Sequence, residues 1–379
     1  MTALDSPPVR TAVWSYASDL PAGSRAFEND YALVALDGGA AVLAGGADAT
    51  FAAVAATALF DPVSTTWSAS TSMTLGRRLH SVTRLADGTV LVAGGITGPY
   101  RQPFDILATA EHFDPKTKKW TPTRTNMTVP RSMHSATLLS DGRVLVAGGA
   151  KPRVGTNDVG SVDSAELYDP QTDTWAPAEP MADERTSHQA VLLADGRVLV
   201  VGGGAVLGHE EVAPMAFCEI FDPATGKWSA TGSLAIPRLS HRAVLLPDGS
   251  VLVLGGAAHG WAAGPVYDTH SLNTTERWYP VTDRWAPAAR MPFGRDRFHA
   301  ITLKSGKVVV FGGGDEQYLF AKFLATSLYD PYADTWSAAG PMSYGRMDFA
   351  ATLLTDGRVL AAGGSSADDL PASTEIYTP

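Results

Sequence analysis

The sequence holds a single cysteine, Cys218, in 379 residues, which excludes an internal disulfide framework and any thiolate-rich metal centre. It has no apolar run near the roughly 20 residues needed to span a bilayer, so no membrane association is expected. The opening MTALDSPPVRTAVW lacks the basic and apolar regions of a secretory signal, and a cytoplasmic location is expected. Basic charge is also short: 29 Lys and Arg face 39 Asp and Glu, a formal net charge of -10. Phosphate binding needs a basic face, so nucleic acid is not an expected partner. Glycine and proline, by contrast, are plentiful at 37 and 25 residues, which suits many short strands joined by turns.

A repeat organises these residues. It reads most clearly as Arg131-Ser-Met-His134-SATLLS-Asp141-Gly142-RVLVA-Gly148-Gly149, a variable stretch, then AEL-Tyr168-Asp169-Pro170-QTDT-Trp175. Double glycines recur at Gly45, Gly94, Gly148, Gly202, Gly255, Gly312 and Gly363, with successive spacings of 49, 54, 54, 53, 57 and 51. A period near fifty with four short strands per period is the signature of a propeller blade. HSATLL and RVLVA are apolar and rich in β-branched residues, and Asp-Gly between them supplies the positive φ of a tight hairpin. Tyr-Asp-Pro, a polar run and Trp make a second hairpin whose aromatics can wedge between neighbouring sheets. Seven double glycines accompany only six Trp in register (Trp67, Trp120, Trp175, Trp228, Trp285 and Trp336). The last unit stops at Tyr377-Thr-Pro379, where its fourth strand should begin, while Trp14 stands eleven residues before Arg25. The N-terminal segment is therefore expected to supply that strand. This gives an all-β, seven-bladed propeller in one domain, residues 1–379, with blade seven composed of about 346–379 and 12–16.

The landmarks R-x-x-H, Asp-Gly, Gly-Gly, Tyr-Asp-Pro and Trp together resemble the kelch repeat, over nearly the whole chain. The wording HSATLLSDGRVLVAGG looks most like bacterial kelch proteins and the propeller of galactose oxidase. That oxidase family's copper site needs two tyrosines, one just before a channel histidine, a second histidine and a cross-linked cysteine. Here Leu79, Met133, Ser187, Ser240 and Phe298 precede the repeat histidines, and Cys218 sits in a third-strand position, so copper-radical chemistry is not expected. The iron motif of specifier-type kelch proteins is absent, and the blades fill these 379 residues, so neither that chemistry nor the BTB or F-box domain of ubiquitin-ligase adaptors is expected within them. No cofactor and no metal is expected.

Strand direction places the strand 4–1 connections and the loops after Gly-Gly on one, upper, face, and the near-identical Asp-Gly and Asp-Pro turns on the other. Function is expected on the variable loops. Arg77/His80, Arg131/His134, Arg185/His188 and Arg238/His241 form a ring round the channel, joined by Arg295 and His299 with one residue inserted. A histidine that recurs with the repeat is read as a tie between blades. The arginines can bond loop carbonyls and can also present guanidinium groups to a ligand carboxylate. Departures from the repeat are sharper pointers. Glu28 stands in place of the histidine in blade one and Phe349 in blade seven, so one side of the channel mouth gathers Glu28, Asp30, Asp296, Arg297 and Asp348.

The ligand-binding residues expected are Arg25, Arg77, Arg131, Arg185, Arg238, Arg297, Arg346, Tyr100, Phe104, Trp261, Tyr267, Tyr318 and Phe320; the acid–base candidates are Glu28, Asp30, Asp348 and His259. Two functional classes follow. One is a binding module holding a small molecule or peptide in the channel mouth. The other is a cofactor-independent enzyme of the epimerase, cyclase or lyase type, acting on a small metabolite or peptide in the same pocket.

Overall fold

Asp-Gly turns bring each first strand back against an all-apolar second strand, and the computed structural model shows the same hairpin in blade after blade. It describes residues 12–22, 32–48, 50–99, 105–153, 158–208, 211–258, 271–315, 321–365 and 372–379. In blade three, Ser135–Leu138 pairs antiparallel with Val144–Ala147, which pairs with Ala165–Asp169, which pairs with Thr174–Ala178. Six four-stranded sheets and one five-stranded sheet of this order make a seven-bladed propeller. The second strand has a blade against each of its faces. It therefore reads as an unbroken apolar run, and Val144, Leu145, Val146 and Ala147 are all buried. The only helical piece among the described residues is the short turn Asp37–Gly39, and no helix is long and apolar enough to cross a membrane.

Aromatics pair across the outer strands of each blade and tie blades to their neighbours. Trp175 packs on Tyr168 at a ring separation of 5.1 Å, and Phe113–Trp120, Phe221–Trp228 and Tyr329–Trp336 repeat the contact. The indole N–H groups of Trp228, Trp285 and Trp336 each donate at 2.7 Å to a backbone carbonyl of the preceding blade.

The ring closes as the repeat count requires. Val13–Asp19 pairs with Ser373–Thr378, with Trp14 opposite Tyr377. Trp14 is buried, and its N–H donates to Thr326 of blade six at 2.8 Å. Across the seam, Trp67 of blade one donates to Thr374 at 2.9 Å, and Arg358 Nη2 donates to the Pro62 carbonyl at 2.9 Å. The Tyr377 hydroxyl is buried without an acceptor among the described residues, whereas Tyr168 and Tyr329 each donate to an aspartate at 2.8 Å. In those blades the aspartate comes from the hairpin turn.

On the upper face, the strand 4–1 connection bridges to the segment after Gly-Gly in five blades: Arg78 to Ile96, Ser132 to Ala150, Thr186 to Gly204, Leu239 to Ala257 and Met347 to Ser365. Beyond the glycines the chain grows extra hairpins, such as Ala150–Pro152 with Val159–Ser161 and Gly204–Gly208 with Glu211–Pro214.

Candidate binding site at the channel mouth

The repeat arginines lie deep. Arg77, Arg131, Arg185, Arg238 and Arg346 are fully buried. Arg131 Nη1 donates to the carbonyls of Gly148 and Ser164 at 2.8 and 2.9 Å, and Nη2 reaches Glu166 at 3.0 Å. Glu166 in turn accepts the backbone N–H groups of Thr128 and Val129. The pair thus staples the Gly-Gly corner to the strand 4–1 connection, with each buried charge compensated. Burial pulls the Arg131 pKa down and Glu166 pulls it back up. Arg77–Glu111, Arg185–Glu219, Arg238–Glu276 and Arg346–Glu375 repeat the ion pair at 2.8–2.9 Å. The sequence reading set these five arginines at the pore mouth as ligand contacts. The structure instead spends both Nη groups of each on protein acceptors.

Three of the repeat histidines are hydrogen-bonded latches between blades. His80 Nε2 meets the Ala44 carbonyl at 3.0 Å, while His134 and His188 meet the Ser81 and Ser135 hydroxyls at 2.9 Å. Burial, reinforced by the neighbouring Arg77 and Arg185, pulls His80 and His188 down to about 3, and His134 and His241 are held well below the usual value by the same causes. All four are neutral near pH 7.

Blade six corrects the expected insertion. Phe298 pairs with Gly312, and its ring crowds Gly255 as the His80 ring crowds Gly45. Arg295-Asp296-Arg297-Phe298 therefore keeps the repeat spacing, with Phe298 in the histidine position. His299 falls one place later, at the position of Ser81, Ser135 and Arg242. The latch there runs the other way: His299 Nε2 bonds the Phe349 carbonyl at 2.8 Å, and Arg242 Nε donates to the Phe298 carbonyl at 2.6 Å. Where the next blade presents a phenyl ring, the preceding blade supplies the polar side chain. Blade one departs as well. Leu33 pairs with Leu43 as Val82 pairs with Val92, yet Arg25 stands eight residues before Leu33 and Arg77 only five before Val82. The R-x-x-H count from Arg25 to Glu28 is thus out of step with the strand.

The residue before each latch position forms an inner rim. Leu79, Met133, Ser187, Ser240, Arg297 and Asp348 all have left-handed backbone, with φ between 49° and 53°. Non-glycine residues hold that conformation only when their surroundings enforce it. Part of the enforcement is a chain of backbone hydrogen bonds from blade to blade: Met133 to Leu79 at 3.0 Å, Ser187 to Met133 at 3.2 Å and Ser240 to Ser187 at 3.4 Å. Four of the six described rim positions are neutral. The other two, Arg297 and Asp348, carry opposite charges and face each other at 3.6 Å. Asp296, nearly buried, stands on the other side of Arg297 at 3.6 Å from Nε. These distances exceed those of tight charge-assisted hydrogen bonds, and the Arg297 side chain is 24% exposed. One partly exposed guanidinium between two carboxylates can meet both an anionic and a cationic or hydrogen-donating group.

The structure thus brings together Arg297 from the expected binding residues and Asp348 from the expected acid–base residues. Glu28, Asp30, His259, Arg25, Tyr100, Phe104, Trp261, Tyr267, Tyr318 and Phe320 lie outside the described residues. One feature was missed although its signal was in the sequence. The third-strand glutamates Glu111, Glu166, Glu219, Glu276 and Glu375 form a column that Ser327 interrupts in blade six. Among the described residues no group of three or more His, Cys, Asp or Glu could hold a metal ion.

No protein-family model matches the chain. Human (Homo sapiens) Kelch-like protein 23 is 24% identical over 286 residues, covering 75% of this chain and 45% of that protein. Mouse (Mus musculus) Kelch-like protein 35 is 24% identical over 277 residues, 73% of this chain and 41% of that protein. Human Kelch-like protein 34 is 27% identical over 260 residues, 66% and 37%. The chain spans less than half the length of these curated relatives. Among solved structures it is similar to a fungal alcohol oxidase of the AA5 family in complex with copper, with a TM-score of 0.72, 19% identity, and coverage of 97% of this chain and 76% of that one. The likeness is one of fold. The described residues do not fit a copper centre of the galactose-oxidase kind. No tyrosine precedes a latch histidine, and Cys218 is buried in a third strand with its thiol pushed up to about 12 by burial.

Proposed function

We propose, for a chain that is a seven-bladed kelch-repeat β-propeller, a scaffold typical of protein binding, that its ligand sits on the upper face at the channel mouth beside blades six and seven. The ligand is a peptide or a small molecule. The observation that carries this reading is the charged break in the inner rim. Arg297 and Asp348 occupy left-handed positions that are neutral in blades two to five, and they lie 3.6 Å apart. A rim that served the fold alone has no use for opposed, partly exposed charges at two successive positions. Tyr100, Phe104, Trp261, Tyr267, Tyr318 and Phe320 are proposed as the aromatic surroundings, and Arg25, Glu28, Asp30 and His259 as further polar contacts. Arg77, Arg131, Arg185, Arg238 and Arg346 are left out because they are fully buried and both Nη groups of each already serve protein acceptors.

Panning a random peptide library on the immobilised protein tests the reading. Enriched peptides are expected to lose at least about tenfold in affinity on Arg297→Met and on Asp348→Asn, the scale of one lost charged contact. They should bind a lower-face variant, Asp141→Asn, unchanged. Binders indifferent to both rim variants would remove the site.

The flanking of Arg297 by Asp296 and Asp348 favours a second reading, acid–base catalysis on a small metabolite. It requires turnover, and Asp348→Asn would then abolish the rate while leaving substrate binding largely in place.

A further inference from the structure

Arg295 of blade six is as buried as its counterparts, at 1% exposure, yet no glutamate among the described residues answers it. Its Nη1 donates to the carbonyls of Gly312 and Ala325 at 3.1 and 3.2 Å, as in the other blades. Its Nη2 has no acceptor among the described residues, because the strand position that supplies Glu111, Glu166, Glu219, Glu276 and Glu375 elsewhere is Ser327. A second change matches the first. Those glutamates also accept a backbone N–H from Thr74, Thr128, Ala182, Ala235 and Ser343, and the corresponding residue in blade six is Pro292, which has no N–H to give. Acceptor and donor have gone together, while the cation has stayed.

A buried guanidinium without a counter-charge is costly. Part of the cost is met by Phe323, whose ring lies 5.0 Å from the guanidinium carbon. Phe323 stacks on Phe293 at 5.9 Å, and Phe293 is 49% exposed, so the guanidinium lies just beneath the surface under two aromatic rings. Burial lowers the Arg295 pKa to about 10, and the group is still a cation at neutral pH.

We propose that Arg295 Nη2 and the Ser327 hydroxyl form a carboxylate-accepting subsite in blade six. A ligand's carboxylate fills there the role that the protein's own glutamate fills in blades two to five and seven. The class of ligand is a small organic acid, because the position is shielded by Phe293 and Phe323 and takes the place of a single glutamate carboxylate. The subsite is independent of the Arg297–Asp348 site: it uses different side chains, and either can fail alone.

Thermal unfolding of the full chain, with sodium acetate replacing sodium chloride at constant ionic strength, tests the proposal. Wild type is expected to gain about 2 °C by about 100 mM acetate. Ser327→Glu restores the missing partner. It should melt no lower than wild type in chloride and gain nothing from acetate. Arg295→Met, whatever its own stability, should also gain nothing. Line broadening of carboxyl-labelled acetate in the presence of folded wild type, absent with Arg295→Met, gives a readout that does not rest on melting. Equal gains in all three proteins, or no gain in wild type, would show that Phe323 alone satisfies Arg295 and would overturn the proposal.

Discussion

A histidine kept neutral by its surroundings links acid stability to single side chains. His80, His134, His188 and His241 are buried beside arginines and titrate far below the usual value of 6.5 in the folded chain. Unfolding frees each to bind a proton below about pH 6.5. Stability is therefore full above that pH and is lost as the pH falls from there toward the folded values near 3. At pH 5.5 the loss is about 1.4 kcal/mol for each such histidine, and unfolding should take up close to one proton per latch. Calorimetry in buffers of different ionisation enthalpy would count these protons; an uptake unchanged by His188→Phe would refute the buried neutral state. The recurrence of His80, His134, His188 and His241 with the repeat was legible in sequence and already argued for a structural task. The reversal at blade six, with Phe298 as the latch residue and His299 beside it, was not. Two adjacent aromatic residues offer two registers, and only pairing with Gly312 selects one.

Two kinds of glycine punctuate each blade, and they differ in what surrounds them. Gly148 has φ +64°, and a Cβ there would stand 2.6 Å from the Arg185 carbonyl oxygen and 2.7 Å from the His188 ring of the next blade. Gly142, in the Asp-Gly turn, has φ +92° but nothing within 4 Å. Gly142→Ala should therefore cost only the backbone strain, about 1 kcal/mol. Gly148→Ala adds a clash with two fixed neighbours and should cost about 3–5 kcal/mol. Urea midpoints of the two variants decide the matter, and equal losses would mean that the blade corner can yield. Both glycines were visible in the repeat. The difference between them was not, because the clash comes from a residue one full blade away.

Closure is a property of the whole ring. Residues 13–19 cover the edge of Ser373–Thr378 and place Trp14 against Phe311 and Tyr377 at ring separations of 4.9 and 5.3 Å. Removing residues 1–19 should leave a bare strand edge and an open aromatic slot, and the protein should associate or lose its single cooperative transition. Light scattering after gel filtration would detect this; a monodisperse species of unchanged Tm would show that the seam is dispensable. The sequence by itself determined the blade count, the two hairpins per blade and the closing strand. Those follow from period, turn residues and the number of Trp, all of which act locally or by simple repetition. Only the tertiary structure decided which of the expected arginines are sealed inside the blades. Depth within a blade depends on what the next blade packs against it, so Arg131 and Arg297, both expected at the pore mouth, separate into a sealed ion pair and a half-open rim charge. The same packing set Arg297 beside Asp348, because equal positions in successive blades meet at the rim however far apart they lie in the chain.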